Sequence, residues 1–419
     1  MIAGTDRPGM NLVWDRGFPR QRSPCRSGSL RSNGIAGGRR EASRVTSTLA
    51  GSAELRRYSR HLLIPEVALA GQERLRAARV LVIGAGGLGA PVLQYLAAAG
   101  VGTIGIVDDD RVDLGNLQRQ VIYDERDVGH LKASAAAARV HAINRHVEIE
   151  AVPVRVTAAN ARAFVRGYDV TVDATDTFAA RYLINDACRL EGKPDVYASI
   201  FRFDGQVSVF IPDGPCYRCL FPEAPPAGTV PTCAEGGVLG VLAGMVGTWQ
   251  ANEVLKLILG IGTPLAGRLT LLDALSGSAR EIAIPVDPAC PLHGPHQTIF
   301  DVAESSDPVA PALRGIAALA ASELDAFLAA HPTALVLDVR DPHELALGPA
   351  PQSVHVPASA LEARLHELDS AQTYVIACRV GAKSRWAAER LHSAGFRRLH
   401  HLDGGLLAYA ALHPDFEFF

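Results

Sequence analysis

Four potential metal ligands occur in the chain as two closely spaced pairs. Cys216 and Cys219 are separated by two residues, and so are Cys290 and His293, with about 70 residues between the pairs. Tetrahedral Zn²⁺ accepts three cysteines and one histidine, and a site closed in this way is structural. The spacing therefore predicts a structural zinc site. The alternative is two unrelated cysteine pairs.

A different cysteine, Cys378, stands in a segment suited to sulfur chemistry. It follows the apolar run 374–377 and precedes Arg379-Val380-Gly381-Ala382-Lys383-Ser384, which is predicted to open a helix. A loop whose amides converge on one sulfur stabilises a thiolate or a persulfide, and nearby cations assist. A phosphatase loop of the Cys-x₅-Arg type is the alternative. Ser384 occupies the position of that arginine, so the pattern favours sulfur transfer.

Cys233 lies in a loop before a glycine-rich helical segment. The dipole of such a helix can lower the pKa of a thiol at its N-terminus. A reactive thiol and a small buried side chain both remain open for this residue.

A glycine-rich turn marks a nucleotide site. Gly84, Gly86 and Gly89 have the G-x-G-x-x-G spacing, with Gly87 as an additional glycine, between an apolar strand (Arg79–Ile83) and a helix (Leu88–Ala99). Residues without a Cβ let the backbone approach a phosphate at the helix N-terminus. The next strand, Thr103–Val107, ends at Asp108, Asp109 and Asp110, where an acid would meet a ribose.

The residues that follow this turn identify the class of nucleotide. The turn and its acid alone would indicate an NAD-dependent oxidoreductase, which stays an alternative. Asn116, Arg119 and Lys132 come directly after the acids, and two cations suit a triphosphate better than a nicotinamide. Asp176, at the end of a later strand, is placed to hold Mg²⁺. The pattern favours ATP.

Strands and helices alternate through most of the chain, which predicts a doubly wound, mostly parallel α/β sheet. Residues 1–52 carry nine Arg and three acidic residues, and we expect a disordered basic extension there. We predict a nucleotide-binding domain over 53–293, a linker over 294–312 and a smaller α/β domain over 313–419, with one helix across Ser359–Leu368.

Bulk composition excludes several classes of protein. The net charge is −3 and 48% of the residues are hydrophobic, so neither a nucleic-acid-binding nor a membrane protein is expected. The most apolar segment, Gly236–Gly262, is interrupted by polar residues such as Gln250 and Glu253. Seven cysteines in 419 residues make no disulfide scaffold and suit a reducing, cytoplasmic compartment.

The ordered motifs resemble a known family. R-Y-S-R-H, G-A-G-G-L-G, D-D-D, N-L-Q-R-Q, G-H-L-K and A-T-D-T follow one another over Arg57–His293. This series resembles the adenylating enzymes of small ubiquitin-like sulfur carriers, the molybdopterin-synthase and thiamine-pathway adenylyltransferases related to ubiquitin-activating enzymes. The region from Ala312 to Phe419 resembles a rhodanese, through L-D-V-R-D-P-H-E, the Cys378 loop and L-D-G-G.

The resemblance implies a role for each matching residue. Gly84–Gly89 would cradle ATP, Asp108 would bind the ribose with Asp110 close by, and Asp176 would bind Mg²⁺. Asn116, Arg119 and Lys132 would contact the phosphates. Arg60 would reach the ATP of a partner subunit, which implies a homodimer, and Cys233 would bond covalently to the carrier. The chain departs from the family at Thr177, His293 and the Gly348–Ser353 turn.

The expected activity has two steps. The first domain would use ATP and Mg²⁺ to adenylate the C-terminal carboxylate of a small ubiquitin-like sulfur carrier. The second would transfer sulfur from a Cys378 persulfide, giving a thiocarboxylate for molybdenum cofactor biosynthesis, tRNA thiolation or a related pathway. Thiosulfate or a cysteine-desulfurase persulfide would supply the sulfur. The alternatives are the oxidoreductase, a ubiquitin-type activating enzyme with a thioester on Cys233, and a non-catalytic scaffold.

Overall fold

A computed structural model describes residues 52–225, 236–304, 313, 315–413 and 415–416. Residues 1–51 of the predicted basic extension, residues 305–312 of the predicted linker, and Cys233 lie outside the described residues. The expectations for those segments are therefore not addressed by the structure.

The first part of the described chain forms an eight-stranded sheet with the order β3-β2-β1-β4-β5-β6-β7-β8. Strands β1 to β5 run parallel, and β6 to β8 are antiparallel additions at one edge. The strands are β1 (Arg79–Ile83), β2 (Thr103–Val107), β3 (Glu148–Val152), β4 (Val170–Asp173), β5 (Asp195–Phe201), β6 (Asp204–Phe210), β7 (Arg268–Asp273) and β8 (Ser278–Ala283). The first two strands have the predicted bounds, and the doubly wound, mostly parallel arrangement is confirmed.

Helices cover both faces of this sheet because the central strands are apolar on both sides. Val80 and Val82 pack with the helices of one face, and Leu81 and Ile83 pack with those of the other. The helices are α1 (Ser52–Arg57), α2 (Ser59–Leu62), α3 (Ala68–Ala77), α4 (Gly89–Ala99), α5 (Lys132–Ile143), α6 (Ala161–Arg166), α7 (Phe178–Leu190), α8 (Tyr217–Leu220) and α9 (Gly240–Leu259).

The second part of the described chain is a smaller parallel sheet with the order β11-β10-β12-β13-β9. Its strands are β9 (Ala317–Ala320), β10 (Leu335–Asp338), β11 (Ser353–His355), β12 (Tyr374–Ala377) and β13 (Leu399–Asp403). Its helices are α10 (Leu324–Ala330), α11 (Leu361–Arg364), α12 (Ala382–Ser393) and α13 (Gly405–Leu412).

The single helix predicted over Ser359–Leu368 is wrong. The segment consists of a 3₁₀ turn (Ala358–Ala360), the short helix α11 and a second 3₁₀ turn (Leu365–Glu367). Ser359, a plausible N-cap of the predicted helix by its residue type, lies inside the first turn instead, and Pro357 holds the N-cap position of that turn. Only Leu361 of these elements is buried, so packing does not enforce a continuous helix.

The described part of the predicted linker packs against the larger sheet unit. Val302 is buried beside α6 and α7, Asp301 forms an ion pair with Arg162 at 2.9 Å, and the Glu304 carboxylate accepts the amide hydrogen of Ala158. The proposed domain boundaries remain predictions. No helix among the described residues combines the length and the apolar character needed to cross a bilayer.

Candidate functional site

A cavity of about 710 Å³ opens at the carboxyl ends of the parallel strands. It lies where the strand order reverses between β1 and β4, the position at which open α/β sheets bind ligands. Sequence-predicted residues line it together: Gly84, Gly86, Gly87, Asp108, Asp110, Asn116, Arg119, Lys132 and Asp176. The fold thus brings the phosphate-type and ribose-type residues to one cavity.

The tight turn after β1 requires glycine at two positions. Gly84 has a φ of +94°, and a Cβ there would lie 2.7 Å from the carbonyl oxygen of Ala174. A Cβ on Gly89, the first residue of α4, would lie 2.0 Å from the Gly84 oxygen. Gly86 and Gly87 are less constrained, since the nearest atoms to their Cβ positions are 3.6 and 3.3 Å away. Their missing side chains leave the cavity wall open instead.

Asp108 ties the end of β2 to the glycine turn. Its Oδ2 accepts the amide hydrogen of Ala85 at 2.7 Å, and its Oδ1 accepts that of Asp110 at 2.9 Å. Burial raises the pKa of this carboxyl group, although both hydrogen bonds oppose the shift. The remaining lone pairs of Asp108 can accept hydrogen bonds from a ribose.

Lys132 begins α5 and is almost fully buried, with 7% of its side chain exposed. Its Nζ lies 2.9 Å from Oδ2 of Asp110, whose side chain is 62% exposed. The pairing gives Asp110 a definite role, since it holds the buried ammonium group at the cavity wall. Lys132 also fixes the helix start, because its amide donates to the carbonyl oxygen of Asp110.

A short 3₁₀ turn (Leu114–Asn116) presents Asn116 and Arg119 to the cavity. Asp113 caps this turn by accepting the amide hydrogen of Gly115. Arg119 Nη1 donates to the carbonyl oxygen of Gly115 at 3.1 Å, which leaves further N–H groups of its guanidinium for a phosphate.

Asp176 stands in the loop between β4 and α7 and faces the cavity. Its carboxylate has no hydrogen-bond or ion-pair partner within the described part of the chain, so it suits a hard cation such as Mg²⁺. Thr177, where the resembling family has Asn, caps α7 by accepting the Ala180 amide hydrogen at 3.2 Å. The departure therefore preserves the helix start next to Asp176.

Three buried residues that support this loop were missed by the sequence analysis. Asp173 Oδ1 accepts hydrogen bonds from the amide and the hydroxyl of Thr175 at 3.0 and 2.6 Å. Gln250 Nε2 donates to the carbonyl oxygens of Asp173 and Val196 at 2.8 and 2.9 Å. Arg181, 7% exposed, lines the cavity. In the sequence, only Gln250 could have pointed to this supporting role, because it is a polar residue inside a very apolar segment.

Arg60 lies on the exposed helix α2 and is not among the described residues that line the cavity of its own chain. The predicted contact with a partner's ATP remains a prediction. Cys233 lies outside the described residues.

The two ligand pairs predicted to bind zinc meet in one cluster. The Sγ atoms of Cys216 and Cys219 are 4.0 Å apart, and those of Cys216 and Cys290 are 3.7 Å apart. His293 Nε2 lies 3.1 Å from the Cys219 Sγ, and all four ligand atoms fall within 4.8 Å of one another. Two sulfur ligands of tetrahedral Zn²⁺ are about 3.8 Å apart, so the donor set fits this ion. Burial lowers the pKa of His293, which favours the neutral ring that a metal requires.

Cys378 lies between β12 and α12 and is buried, with 2% of its surface exposed. Its Sγ accepts the amide hydrogens of Gly381 and Ser384 at 3.2 and 3.3 Å, and the Ser384 hydroxyl lies 3.5 Å away. Two backbone amides therefore converge on one sulfur, an arrangement that stabilises a thiolate or persulfide.

Lys383, one of the two cations in the predicted sulfur loop beside Arg379, forms ion pairs with carboxylates. Its Nζ pairs with Asp341 at 2.8 Å and Glu344 at 3.2 Å, and the hydrogen bond from Lys383 lowers the pKa of Asp341. The expected charge assistance from Lys383 is therefore largely neutralised. The departure at Gly348–Ser353 is accommodated by Gly348, whose φ is +112° and whose carbonyl oxygen accepts a hydrogen bond from the buried Arg340.

The fold and both sites define a class: an α/β nucleotide-binding unit joined to a second α/β unit with a sulfur-binding loop. Comparison with family models agrees, since residues 58–292 match the ThiF family and residues 320–412 match the rhodanese-like domain. The chain belongs to the ThiF family and carries a C-terminal rhodanese-like domain.

Curated relatives have the same two parts in their names. The chain is 46% identical over 374 residues to "Probable adenylyltransferase/sulfurtransferase MoeZ" of Mycobacterium tuberculosis, covering 86% of this chain and 94% of that protein. It is 41% identical over 391 residues to "Adenylyltransferase and sulfurtransferase MOCS3" of Bos taurus, covering 85% and 86%. The chain is accordingly an enzyme of adenylyl and sulfur transfer.

Two further comparisons cover somewhat more than half of the chain. "Sulfur carrier protein adenylyltransferase" of Thermus thermophilus is 54% identical over 251 residues, which cover 58% of this chain and 93% of that protein. The crystal structure of E. coli MccB with MccA-N7isoASN has a TM-score of 0.52 at 19% identity and covers 60% and 76% of the two chains. The latter similarity concerns the fold.

Proposed function

We propose that this enzyme adenylates the C-terminal carboxylate of a small ubiquitin-like sulfur-carrier protein and then converts it to a thiocarboxylate. The observation that carries the proposal is the cavity in which the glycine turn, Arg119, Lys132 and the unpartnered carboxylate of Asp176 face one another. The nearly full-length relatives named as adenylyltransferase and sulfurtransferase support the same assignment.

In the first step, a carboxylate oxygen of the carrier attacks the α-phosphorus of ATP. The bond to the β-phosphate oxygen breaks, which gives an acyl-adenylate and pyrophosphate. The carboxylate is already a nucleophile, so the protein has to position the reactants and neutralise charge rather than supply a base. Arg119, Lys132 and Asn116 would hold the phosphates, Asp108 the ribose, and Asp176 the Mg²⁺ that balances the phosphate charge.

In the second step, the terminal sulfur of a Cys378 persulfide attacks the acyl carbon, and AMP leaves. The product is an acyl disulfide between carrier and enzyme. A thiol must then supply two electrons to cleave the S–S bond and release the thiocarboxylate. Thiosulfate or a cysteine-desulfurase persulfide would load Cys378, and Cys233 is the proposed second thiol or thioester site on this chain.

Asp176→Ala tests the first step. We expect loss of carrier-dependent ATP–pyrophosphate exchange, because the variant lacks the carboxylate proposed to hold Mg²⁺ against the phosphates. Glu125→Ala, which removes an exposed carboxylate outside the cavity, is the matched control and should retain exchange. Substantial exchange by Asp176→Ala would remove the assigned role.

Cys378→Ala tests the second step. Exchange should persist, whereas transfer of sulfur from thiosulfate to cyanide should cease. If both activities were lost, the two steps would not be separable as proposed. The carrier itself would be identified by mass spectrometry of the C-terminus of proteins captured with the Cys378→Ala enzyme.

A structural Zn²⁺ held by Cys216, Cys219, Cys290 and His293 belongs to the same proposal. Atomic absorption on the purified enzyme should find about one zinc per chain, and His293→Ala should lower that content. Less than about half an equivalent in the unmodified enzyme would refute the site.

A homodimer in which Arg60 serves the partner's ATP is also proposed. Mixing Arg60→Ala and Asp176→Ala chains should restore exchange, because a mixed dimer keeps one site with an intact Asp176 and an intact Arg60 from the other chain. Two inactive variants that stay inactive after subunit exchange would refute the contribution of Arg60 to the partner's site. The proposed setting is a reducing cytoplasm, with molybdenum cofactor biosynthesis or tRNA thiolation as the pathway.

A further inference from the structure

A second cavity of about 740 Å³ lies in the same sheet unit as the nucleotide cavity. Its wall includes residues of strands β5 to β8 and a group of aromatic side chains: Phe178, Tyr197, Phe201, Tyr217 and Phe221. None of the predicted phosphate residues is among the described residues that line it. Arg181, near the start of α7, is the one described residue that lines both cavities. The two cavities therefore adjoin at Arg181.

The guanidinium group of Arg181 is a buried cation with an unused donor. The residue is 7% exposed, and its buried Nε has no hydrogen-bond partner within the described part of the chain. Its Nη2 lies 3.5 Å from the carbonyl oxygen of Thr175, which is at the limit of a hydrogen bond. The ring centroids of Phe178 and Tyr197 lie 5.4 and 5.8 Å from the guanidinium carbon, so both rings pack against the cation. An unsatisfied buried donor costs free energy, which favours a ligand that supplies an acceptor.

The neighbouring polar groups supply no anionic acceptor for this Nε. Asp173 is the carboxylate that attracts Arg181, but its own buried Oδ2 accepts no hydrogen bond within the described residues. The hydroxyl of Tyr217 interacts with the guanidinium group, and burial raises the pKa values of Tyr217 and Tyr197, so both phenols are neutral. A buried cation without an anion in hydrogen-bonding contact is unfavourable. The surroundings of Arg181 therefore suit an anionic ligand.

Two negative reactants must meet in the first step of the proposed reaction. Arg119 and Lys132 line the nucleotide cavity alone and are assigned to the phosphates of ATP. A carboxylate that approaches the α-phosphorus is repelled by those phosphates, and a cation beside its path cancels that repulsion. The planar fork of an arginine fits a carboxylate. Arg181 also borders the second cavity, from which a carboxylate can reach it without crossing the phosphate residues.

We propose that Arg181 binds the C-terminal carboxylate of the carrier protein where the two cavities adjoin and holds it toward the α-phosphorus of ATP. The inference rests on the proposed function, because it assigns a residue to the protein substrate of that reaction. Arg181 neither gives nor takes a proton: a carboxylate oxygen forms the bond to phosphorus, pyrophosphate leaves, and the guanidinium group stays charged throughout. Its contribution is orientation and charge neutralisation.

The first test compares Arg181→Met and Arg181→Lys in the full-length enzyme. In ATP–pyrophosphate exchange, Arg181→Met should lower kcat/KM for the carrier about 10- to 150-fold, because a hydrogen bond between two charged groups is lost. Binding of Mg²⁺-ATP without carrier, measured by calorimetry, should stay near the wild-type value. Arg181→Lys should recover part of the loss, since it keeps the charge without the fork. Arg162→Met is the matched control, because Arg162 forms ion pairs outside both cavities and its loss should alter neither readout.

The second test uses N-acetylglycine, a minimal model of a peptide C-terminus, and needs no carrier. Saturation-transfer NMR would measure its binding to the enzyme with Mg²⁺ and α,β-methylene-ATP present, so that the phosphate residues are already occupied. Wild-type enzyme should bind N-acetylglycine more tightly than N-acetylglycinamide, which lacks the carboxylate. Arg181→Met should not distinguish the two compounds.

Three outcomes would overturn the inference: an unchanged kcat/KM for the carrier in Arg181→Met, equal binding of the acid and the amide by wild-type enzyme, or a loss of ATP affinity as large as the loss for the carrier. The last result would assign Arg181 to the phosphates or to the loop of Thr175. If Arg181→Met does not fold, Arg181→Lys and the wild-type comparison of acid and amide decide. Arg181-dependent binding of N-acetylglycine without any carrier-dependent exchange would instead refute the proposed function and leave the carboxylate site standing.

Discussion

Replacing the buried ammonium group of Lys132 should slow the reaction with ATP and leave the stability of the fold nearly unchanged. Lys132→Met keeps the aliphatic stem and removes the charge. The Lys132 side chain is 7% exposed, whereas its partner Asp110 is 62% exposed and stays hydrated when the pair is lost. An ion pair with an exposed partner contributes about 0–1 kcal/mol to the free energy of unfolding. Burying a methionine side chain costs less than burying an ammonium group, and this difference offsets the loss of the pair. We therefore expect little change in the free energy of unfolding.

The effect on catalysis should be much larger. A hydrogen bond from an ammonium group to a charged phosphate contributes about 1.5–3 kcal/mol. At 1.4 kcal/mol per tenfold change, its loss corresponds to a reduction of about 10- to 150-fold in kcat/KM for ATP. Sulfur transfer from thiosulfate to cyanide should stay at the wild-type rate, because it depends on the other sheet unit.

The assay is ATP–pyrophosphate exchange with saturating carrier, alongside thermal unfolding. Arg126→Ala is the matched control, since Arg126 forms an ion pair with Asp124 at 2.6 Å but is 88% exposed and lies outside the cavity. Loss of a charged contact should reduce the exchange rate by more than about threefold. If the Lys132→Met enzyme keeps an exchange rate within that factor of wild type, the assignment of Lys132 to a phosphate contact is refuted. A large fall in melting temperature would refute the inference that its pair with Asp110 contributes little to stability.

Further predictions concern stability and the two sites. Gly89→Ala should abolish ATP binding measured by calorimetry, because its Cβ would lie 2.0 Å from the Gly84 oxygen. Asp338→Asn should lower the free energy of unfolding of the rhodanese-like domain by about 3–5 kcal/mol, because it removes the carboxylate that pairs with the fully buried Arg340. In this variant sulfur transfer should fall, whereas ATP–pyrophosphate exchange should persist. Ion pairs with two arginines of α6 lower the pKa of Glu191 to about 2, below its ordinary value of 4.5. This stabilisation is complete above pH 4.5 and is lost as the pH falls toward 2, so Glu191→Gln should flatten the decline of melting temperature in that range.

Features set by short stretches of chain could be predicted well. The bounds of β1 and β2 follow from apolar runs that end in glycines or acids, and the turn between β1 and α4 needs Gly84 and Gly89 for local steric reasons. The predicted helix over Ser359–Leu368 failed because only Leu361 and Leu368 of this short segment are buried, so packing contributes little energy to keep it helical. Local propensity was insufficient there.

The partners of the charged residues could not be predicted. Lys383 was expected to assist Cys378, but it pairs with Asp341 and Glu344, about 40 positions earlier in the chain. Lys132 was expected to contact phosphate, and the structure adds Asp110 as its ion-pair partner. A long side chain can reach several carboxylates, and only the packed backbone decides which of them lies within 3 Å.

The sequence by itself determined the glycine turn, the alternation of strands and helices, and the residue types of both sites, because these depend on backbone sterics and on side-chain chemistry. Tertiary structure alone decided which distant groups meet. It placed Asp341 2.8 Å from the Nζ of Lys383, 42 positions away, and His401 against the loop of Cys378. Such contacts depend on the order and direction of the strands in each sheet. Burial of the apolar faces of all strands and helices of a domain together selects that arrangement.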